Sequence, residues 1–426
     1  MDRIFKEQPL FIIEKVSLTL QIPKTDNIIT TSTMQDYSLL YKKELLENII
    51  PFWSNHSIDK EHGGFFTCLD RAGQVYDTDK FMWLQGRQIW TYSMLYNNVE
   101  QNPAFLDVAR HGADFILKNG RDTDGNFYFS LNREGKPLVQ PYNIFSDCFA
   151  AMGLGALYKV DGKDEYGQVA KDTFENILRR RDNPKGKYSK GFPGTRDLKN
   201  FALPMILCNL SLELEHLLDK QLVDNLIEEV LHEVLDVFYD DATGMIVENV
   251  YLDGSFSDSH EGRLLNPGHV IEAMWFIMDL GVRRNDRSLI EKAVTIALRT
   301  LKFGWDEKHG GILYFKDIKG HPVQQLEWDQ KLWWVHVEAL VCMAKAYQLT
   351  GNEDCKEWFD ILHNYTWSHY RDDQYGEWFG YLNRQGEVLL NLKGGKWKGC
   401  FHIPRALYQL YKTLEVQKAL TADPLS

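Results

Sequence analysis

The chain has 426 residues and a formal net charge of −12, with 48 lysines and arginines against 60 aspartates and glutamates. This acidic balance argues against nucleic acid or an anionic membrane surface as a partner. Hydrophobic residues make up 44% and charged residues 25% of the chain, as in globular proteins, and no run of about 18 apolar residues predicts a membrane-spanning helix.

Residues 1–36 are predicted to be a poorly ordered N-terminal extension that precedes the folded domain. Their apolar stretch, residues 10–22, is interrupted by Glu14 and Lys15, and no A-x-A-like cleavage site follows it, so we do not expect a signal peptide. The six cysteines have no C-x-x-C spacing. They fit the buried, reduced thiols of a cytoplasmic protein better than a disulfide framework.

Five segments share one local pattern, in which an acidic turn and a glycine are followed by an apolar run and a second polar turn. They are DKEHGGFFTCLDRAGQ (59–74), RDTDGNFYFSLNREGK (121–136), YDDATGMIVENVYLDGS (239–255), WDEKHGGILYFKDIKGH (305–321) and RDDQYGEWFGYLNRQG (371–386). Subtracting the numbers of the matching glycines, 64, 125, 244, 311 and 376, gives spacings of 61, 119, 67 and 65 residues. Because the long spacing is about twice the others, we expect a sixth, degenerate copy near KGKYSKGFPG (185–194).

Each repeating unit is predicted to contain a short β-hairpin and two helices. The hairpin prediction rests on alternating apolar residues between two turns rich in Asp, Asn and Gly. Apolar residues recur with helical spacing in segments 84–99, 103–120 and 291–305. The second of these helices is expected to end at Gly120 in a left-handed conformation.

Six such helix pairs form either an open solenoid or a closed ring. An open array needs polar caps at its ends, whereas the last unit is as aromatic as the others, with Trp378, Phe379, Trp397 and Phe401. We therefore predict an all-α protein with one (α/α)6-barrel domain over residues 37–420. Its hairpins are expected to gather at one end of the ring, around a central cavity.

Three histidines lie in settings that favour a site in this cavity. His269 follows an Asn-Pro-Gly turn and begins a predicted helix, with Glu272 on the same face. His402 follows a glycine-rich loop, and His336 lies within an aromatic-rich helical pattern. The alternative for any one of them is a hydrogen-bonded histidine between helices. Two histidines at loop-to-helix junctions are nevertheless expected to face the cavity together.

The sequence contains no recognisable metal or nucleotide motif. No H-E-x-x-H or H-x-x-x-H spacing and no Cys/His cluster with zinc-ligand spacing occurs. His62 and His309 each precede a hairpin glycine and are predicted to have a structural role. The basic segment 184–194 lacks the Walker A pattern, and neither a dinucleotide fingerprint nor a G-x-S-x-G elbow is present.

Several segments between about Tyr37 and Leu414 resemble the N-acylglucosamine 2-epimerases, whose animal members are also called renin-binding proteins. They are EHGGFFTCLDRAGQVYD, WLQGRQIW, NPGHVIEAMWF, QLEWDQKLWW, YGEWFGYLNRQG and KGGKWKGCFHIPR. The resemblance implies a dimeric (α/α)6 barrel that interconverts N-acetylglucosamine and N-acetylmannosamine without a metal or a redox cofactor. It also implies ATP as an allosteric activator that is not consumed.

The resemblance also implies roles for individual residues. The family's two catalytic histidines correspond to His269 and His402. Its active-site arginine corresponds to Arg87, and its catalytic carboxylate to Glu338. The expected substrate-binding residues are Glu272, Asn209, Trp83, Trp397 and Lys398.

The expected reaction needs residues of these types. Epimerisation at C2 of the ring-opened sugar removes a proton next to a carbonyl group and returns one to the opposite face. Histidines suit both steps because the pKa of imidazole lies near neutral pH, and an arginine can stabilise the negative charge that develops on O1. The two glutamates are expected to hold the imidazole tautomers or to bind sugar hydroxyls.

Other functions are compatible with the same ring. Cellobiose 2-epimerases and mannose-type aldose–ketose isomerases share the barrel and much of the histidine pair. A noncatalytic binding protein is an alternative of another class, suggested by the renin-binding name. Lys185, Lys187 and Lys190 either contact the phosphates of a nucleotide or belong to a solvated loop.

Overall fold

The computed structural model describes residues 34–422 and consists mainly of α-helices. The helices are α1 (Met34–Lys43), α2 (Ile50–His56), α3 (Met82–Asn98), α4 (Pro103–Asn119), α5 (Phe145–Asp161), α6 (Asp164–Arg180), α7 (Ala202–Glu213), α8 (Lys220–His232), α9 (Pro267–Arg284), α10 (Arg287–Gly304), α11 (Trp333–Thr350), α12 (Glu353–Tyr370) and α13 (His402–Ala422). A π-helical stretch, Glu44–Ile49, joins α1 and α2. Residues 1–33 of the predicted N-terminal extension lie outside the described residues. Within residues 34–422, no helix is both long and apolar enough to cross a membrane.

The helices form six pairs, each with a buried inner member and a partly exposed outer member. The inner helices α3, α5, α7, α9, α11 and α13 pack against their neighbours to form the inner wall of a ring. Outer helices such as α6 bury one apolar stripe and leave charged residues in solvent. The start of the last inner helix, α13, lies beside the first, α3. The rings of Phe401, which precedes α13, and Trp90 of α3 are 5.3 Å apart. The predicted (α/α)6 architecture is therefore confirmed.

Short antiparallel strands connect the units at the end of the ring where the inner helices begin. They are β1 (Cys68–Leu69), β2 (Val75–Asp77), β3 (Lys80–Phe81), β4 (Ser130–Leu131), β5 (Pro137–Val139), β6 (Leu198–Asn200), β7 (Tyr239–Asp240), β8 (Met245–Ile246), β9 (Asn249–Tyr251), β10 (Leu264–Leu265), β11 (Lys316–Asp317), β12 (Lys331–Leu332) and β13 (Tyr381–Leu382). The pairs β1–β2, β4–β5 and β7–β8 are hairpins within a unit. The strands β3, β6, β10 and β12 each lie just before an inner helix and pair with a later unit, for example Lys80 opposite Leu131.

The five repeat glycines occupy the conformation that the turn requires. Gly64, Gly125, Gly244, Gly311 and Gly376 all have a positive φ, between 66° and 82°. Residues with a Cβ rarely adopt this region, which explains why glycine recurs in each unit. The sixth copy differs from the prediction, because residues 185–194 form an exposed loop with a short 3₁₀ turn (Gly186–Tyr188) and no hairpin.

Gly120 ends α4 as predicted, but for a different reason. Its φ is −77°, so it is not left-handed. A Cβ at this position would lie 2.6 Å from the carbonyl oxygen of Ile116. Glycine is needed here for a close approach to the preceding turn rather than for its conformational freedom.

An Asp–Lys–Arg cluster, in which the aspartate and the lysine are buried, recurs at three junctions between units. The clusters are Asp59–Lys80–Arg133, Asp306–Lys331–Arg384 and Asp372–Lys393–Arg71. In the third, Arg71 of the first unit lies 2.7 Å from Asp372 of the last unit, and Lys393 Nζ lies 2.9 Å from the same carboxylate. This cluster therefore joins the two ends of the ring.

Candidate active site

A cavity of about 560 Å³ lies among the inner helices, at the end of the ring that carries the strands. Every inner helix contributes lining residues from its first two turns, for example Trp83 of α3, Phe145 of α5 and Ala202 of α7. The N-termini of the inner helices therefore converge on the cavity. Because the macrodipole makes a helix N-terminus partly positive, this arrangement favours negative charge inside the cavity.

His269 is held at the cavity by the cap of α9. The Asn266 side chain accepts a hydrogen bond from the His269 backbone N–H at 3.2 Å, and Pro267 occupies the first turn of the helix. His269 Nδ1 lies 3.1 Å from both carboxylate oxygens of Glu248, a buried residue between β8 and β9. Because a carboxylate only accepts hydrogen bonds, Nδ1 carries a proton and Nε2 is the nitrogen available to a substrate.

His402 is oriented in the same way by a second carboxylate. It begins α13, and its Nδ1 lies 2.8 Å from Glu338 Oε1. Arg405 donates to the same oxygen at 2.7 Å and also donates to Glu272, while Trp275 Nε1 donates to Glu338 Oε2 at 2.9 Å. These bonds fix the carboxylate and leave Nε2 of His402 as the free nitrogen.

The pKa values of the two imidazoles are shifted in opposite directions. Burial and the positive charge of Arg87 lower the pKa of His402 well below its usual value, although Glu272 opposes this. Burial would also lower the pKa of His269, but Glu248 and Glu272 outweigh it and the net pKa is raised. At neutral pH His402 is therefore neutral, and His269 is the more protonated of the two. Such a pair can act as base and acid in one site.

Arg87 lines the cavity without a strong internal partner. Its guanidinium carbon lies 3.9 Å from the ring centroid of Phe149 and 4.9 Å from that of Phe401. Within the described part of the chain, its buried Nε has no hydrogen-bond partner. Burial lowers the pKa of Arg87 to about 9, so the side chain is still cationic at neutral pH. Arg87 therefore presents a positive charge at the cavity wall.

Two tryptophans form one edge of the cavity mouth. The rings of Trp83 and Trp397 have centroids 5.0 Å apart, and Trp397 is 48% exposed. Trp83 Nε1 donates to the backbone oxygen of Lys396 at 3.2 Å, which ties α3 to the loop before α13. Their exposed faces suit the C–H groups of a sugar. Both residues line the cavity, and their contact with substrate stays a prediction.

Three other predicted residues have environments that differ from the expectation. Asn209 lies one turn beyond Met205 on α7 and does not line the cavity. Lys398 is fully buried, with Nζ 2.8 Å from Glu377 Oε1 and 2.7 Å from the backbone oxygen of Lys393. A direct sugar contact is therefore not supported for Asn209 or Lys398. Glu272 lines the cavity, but it pairs with Arg405 rather than with an imidazole.

His336 is a hydrogen-bonded structural residue, which was the alternative to a place in the site. Its Nε2 accepts a hydrogen bond from Ile312 N at 2.9 Å, and its Nδ1 lies 2.8 Å from the backbone oxygen of Leu332. Both nitrogens are thus occupied by the backbone. Burial lowers its pKa to about 3, so His336 is a neutral residue that joins α11 to the neighbouring unit.

Sequence reasoning missed three residues of the site. Glu248 precedes His269 by 21 residues, and no local pattern marks it. Arg405 follows His402 by one helical turn, a spacing that could have suggested it. The centroid of the Trp334 ring lies 5.3 Å from that of His269 and 5.7 Å from that of His402, so this indole is close to both imidazoles. Gly268 permits this, because a Cβ there would lie 2.7 Å from the Trp334 ring.

Comparisons with known proteins agree with this geometry. The family model described as N-acylglucosamine 2-epimerase (GlcNAc 2-epimerase) matches residues 64–406. The N-acylglucosamine 2-epimerase of Rattus norvegicus is 39% identical over 374 residues, which cover 85% of this chain and 88% of the relative. A cellobiose 2-epimerase of Bacteroides fragilis is 24% identical over 390 residues, which cover 87% of this chain and 97% of that relative.

A solved structure shows the same ring. The cellobiose 2-epimerase from Bacillus thermoamylovorans superposes with a TM-score of 0.77 at 21% identity, over 89% of this chain and 99% of that one. At this level of identity the likeness concerns the fold alone. The family model and the relative from Rattus norvegicus carry the assignment further: the chain belongs to the N-acylglucosamine 2-epimerase family.

Proposed function

We propose that the protein interconverts N-acetylglucosamine and N-acetylmannosamine by moving a proton at C2 of the ring-opened sugar. The observation that carries this proposal is the pair of imidazoles in one cavity whose pKa values are shifted in opposite directions. Inversion at a carbon needs one group that removes a proton and another that supplies one. The relative from Rattus norvegicus, 39% identical to this chain, supports an N-acyl sugar as the substrate.

In one direction, Nε2 of neutral His402 takes the C2 proton. The electron pair of the C2–H bond moves into the carbonyl group and gives an anion with its charge on O1. Nε2–H of His269 then delivers a proton to the opposite face of C2, and the electron pair returns from O1. In the other direction the histidines exchange these tasks.

Arg87 is the cation that would stabilise the anion. Arg87 lines the cavity and is cationic at neutral pH, so its guanidinium places a positive charge beside a substrate bound there. Preorganised donors in a site shielded from water stabilise developing charge strongly. The convergent helix N-termini add to the same effect.

The substrate class is tested by comparing sugars with and without the N-acyl group. We expect kcat/KM for N-acetylmannosamine to exceed that for mannose by about 100-fold or more, because mannose lacks the acyl group and with it the binding that burial of this group contributes. Kinetics for both sugars, with cellobiose as a third substrate, measure this. Equal turnover of mannose would contradict the N-acyl assignment, and a preference for cellobiose would indicate the neighbouring activity.

We further propose that the reaction needs no metal ion and no redox cofactor. One oxygen or nitrogen atom each of Glu272, Glu338 and His402 lies within 4.8 Å of the others, a spacing that a metal could use. Arg405 donates to both of these carboxylates and supplies the positive charge that the cluster requires. This occupied cluster supports the proposal.

The remaining proposals follow from the resemblance to the family. We propose that the protein is a cytoplasmic homodimer and that ATP activates it without being consumed. Lys185, Lys187 and Lys190 lie in an exposed loop, as expected for a solvated basic segment.

A further inference from the structure

One side of the cavity is apolar. Phe145 and Phe149 of α5 and Ala202, Met205 and Ile206 of α7 line it together, and we call this set the apolar wall. Their spacings, four residues on α5 and three and four on α7, place each set on one face of its helix. No side chain of the apolar wall offers a hydrogen bond. The histidines, Glu272 and Arg87 line other parts of the same cavity.

The apolar wall lies next to the reacting carbon of the proposed mechanism. Phe149 contacts Arg87, whose guanidinium carbon is 3.9 Å from the centroid of the ring, so the wall begins beside the cation assigned to O1. Around the ring, α5 and α7 lie between α3, which carries Arg87, and α9, which carries His269. In the proposed mechanism O1 meets Arg87 and C2 is bonded to C1, so a substituent on C2 is brought close to the start of this wall.

We infer that the apolar wall receives the N-acyl group of the substrate and that Met205 limits the length of the acyl chain; this inference rests on the proposed function. The acyl methyl group is the apolar end of the sugar, and its burial removes apolar surface from water. A hydroxyl group turned toward the same wall would lose its hydrogen bonds. Met205 lines the cavity, is 3% exposed and carries an unbranched, adaptable side chain.

The inference predicts a change in selectivity for acyl length. Met205→Ala removes the end of the side chain, so N-butanoylmannosamine should gain relative to N-acetylmannosamine. We expect the ratio of their kcat/KM values to rise about tenfold or more, since a single methylene in a hydrophobic pocket changes kcat/KM by this amount. The measurement uses both substrates with wild type and variant. Because the readout is a ratio, it does not depend on the fraction of active protein.

Leu207→Ala is the matched control. Leu207 follows Ile206 on α7 and is 1% exposed in the core, but it does not line the cavity. Its truncation should lower stability and leave the ratio within about twofold of wild type. If Met205→Ala does not fold, Met205→Val provides a smaller truncation with the same readout.

The outcomes separate this inference from the proposed function. An unchanged ratio in an active Met205→Ala enzyme would overturn the assignment of the wall. An equal rise with Leu207→Ala would also overturn it, because the effect would then reflect loosening of α7. If wild type fails to convert N-acetylmannosamine, the proposed function itself is wrong, whatever the ratio.

Discussion

Replacement of His402 by asparagine is expected to lower kcat for epimerisation about 10³-fold, in both directions. Asparagine can still donate to Glu338 Oε1 through its side-chain amide, in place of His402 Nδ1, which now lies 2.8 Å from that oxygen. It cannot replace Nε2 as a base. The rate falls in both directions because each direction needs a base on one face of C2 and an acid on the other. Initial rates with N-acetylmannosamine and with N-acetylglucosamine measure the effect.

The control for this variant separates chemistry from folding. The far-UV circular dichroism and the melting temperature of His402→Asn should match those of wild type, since the internal bonds of Glu338 to Arg405 and Trp275 are kept. His321→Asn, at an exposed position, should retain full activity. Activity of His402→Asn within about tenfold of wild type would contradict the assignment of His402 as a base.

Replacement of Asp372 by asparagine is expected to destabilise the fold by about 3–5 kcal/mol, the usual cost of removing one partner from a buried ion pair. Asp372 is 4% exposed and holds Arg71 and Lys393, so the variant leaves a buried ammonium without its carboxylate. Burial would raise the pKa of Asp372, but hydrogen bonds from Arg71 and Lys393 outweigh it and lower the pKa. Because the carboxyl pKa is lower in the folded than in the unfolded protein, the ionised carboxylate stabilises the fold at any pH above the unfolded-state pKa. This stabilisation is fully present at neutral pH and is lost as the pH falls through the folded-state pKa.

Asp373, the residue after Asp372, provides the control for this prediction. Asp373 has 82% of its side chain exposed and lies 3.1 Å from Arg371. Because exposed pairs contribute little, Asp373→Asn should change stability by less than about 1 kcal/mol. Thermal melts at a fixed scan rate compare the two variants, and Asp372→Asn should melt at least about 5 °C lower. Equal melting temperatures would show that the Asp372 cluster does not hold the two ends of the ring together.

Periodic features made the ring predictable from the sequence. A turn that needs a positive φ admits glycine almost alone, so Gly64 and Gly311 mark the same point in two units. The start of α9 was equally predictable, because Asn266 and Pro267 form a helix cap that is local in sequence. The cavity end of the ring follows from these two facts, since inner helices begin just after the hairpins.

Contacts between residues far apart in the sequence could not be predicted in this way. Glu248 meets His269 across 21 residues that contain two strands and two turns, and Asp372 meets Arg71 across 301 residues. Neither pair is local in sequence, and the recurrence of Asp and Arg in the repeats does not by itself show which two units meet. The contact between Lys398 and Glu377, across 21 residues, could not be predicted either, and the role of Lys398 in substrate binding stays a prediction.

The central claim is that C2 inverts by proton transfer between two histidines. Its most direct test is proton NMR of N-acetylmannosamine incubated in D₂O with the protein after treatment with EDTA. The account predicts N-acetylglucosamine that carries deuterium at C2, because the incoming proton comes from an imidazole that exchanges with solvent. Product that retains the original hydrogen at C2, or conversion only after a metal ion is restored, would contradict it.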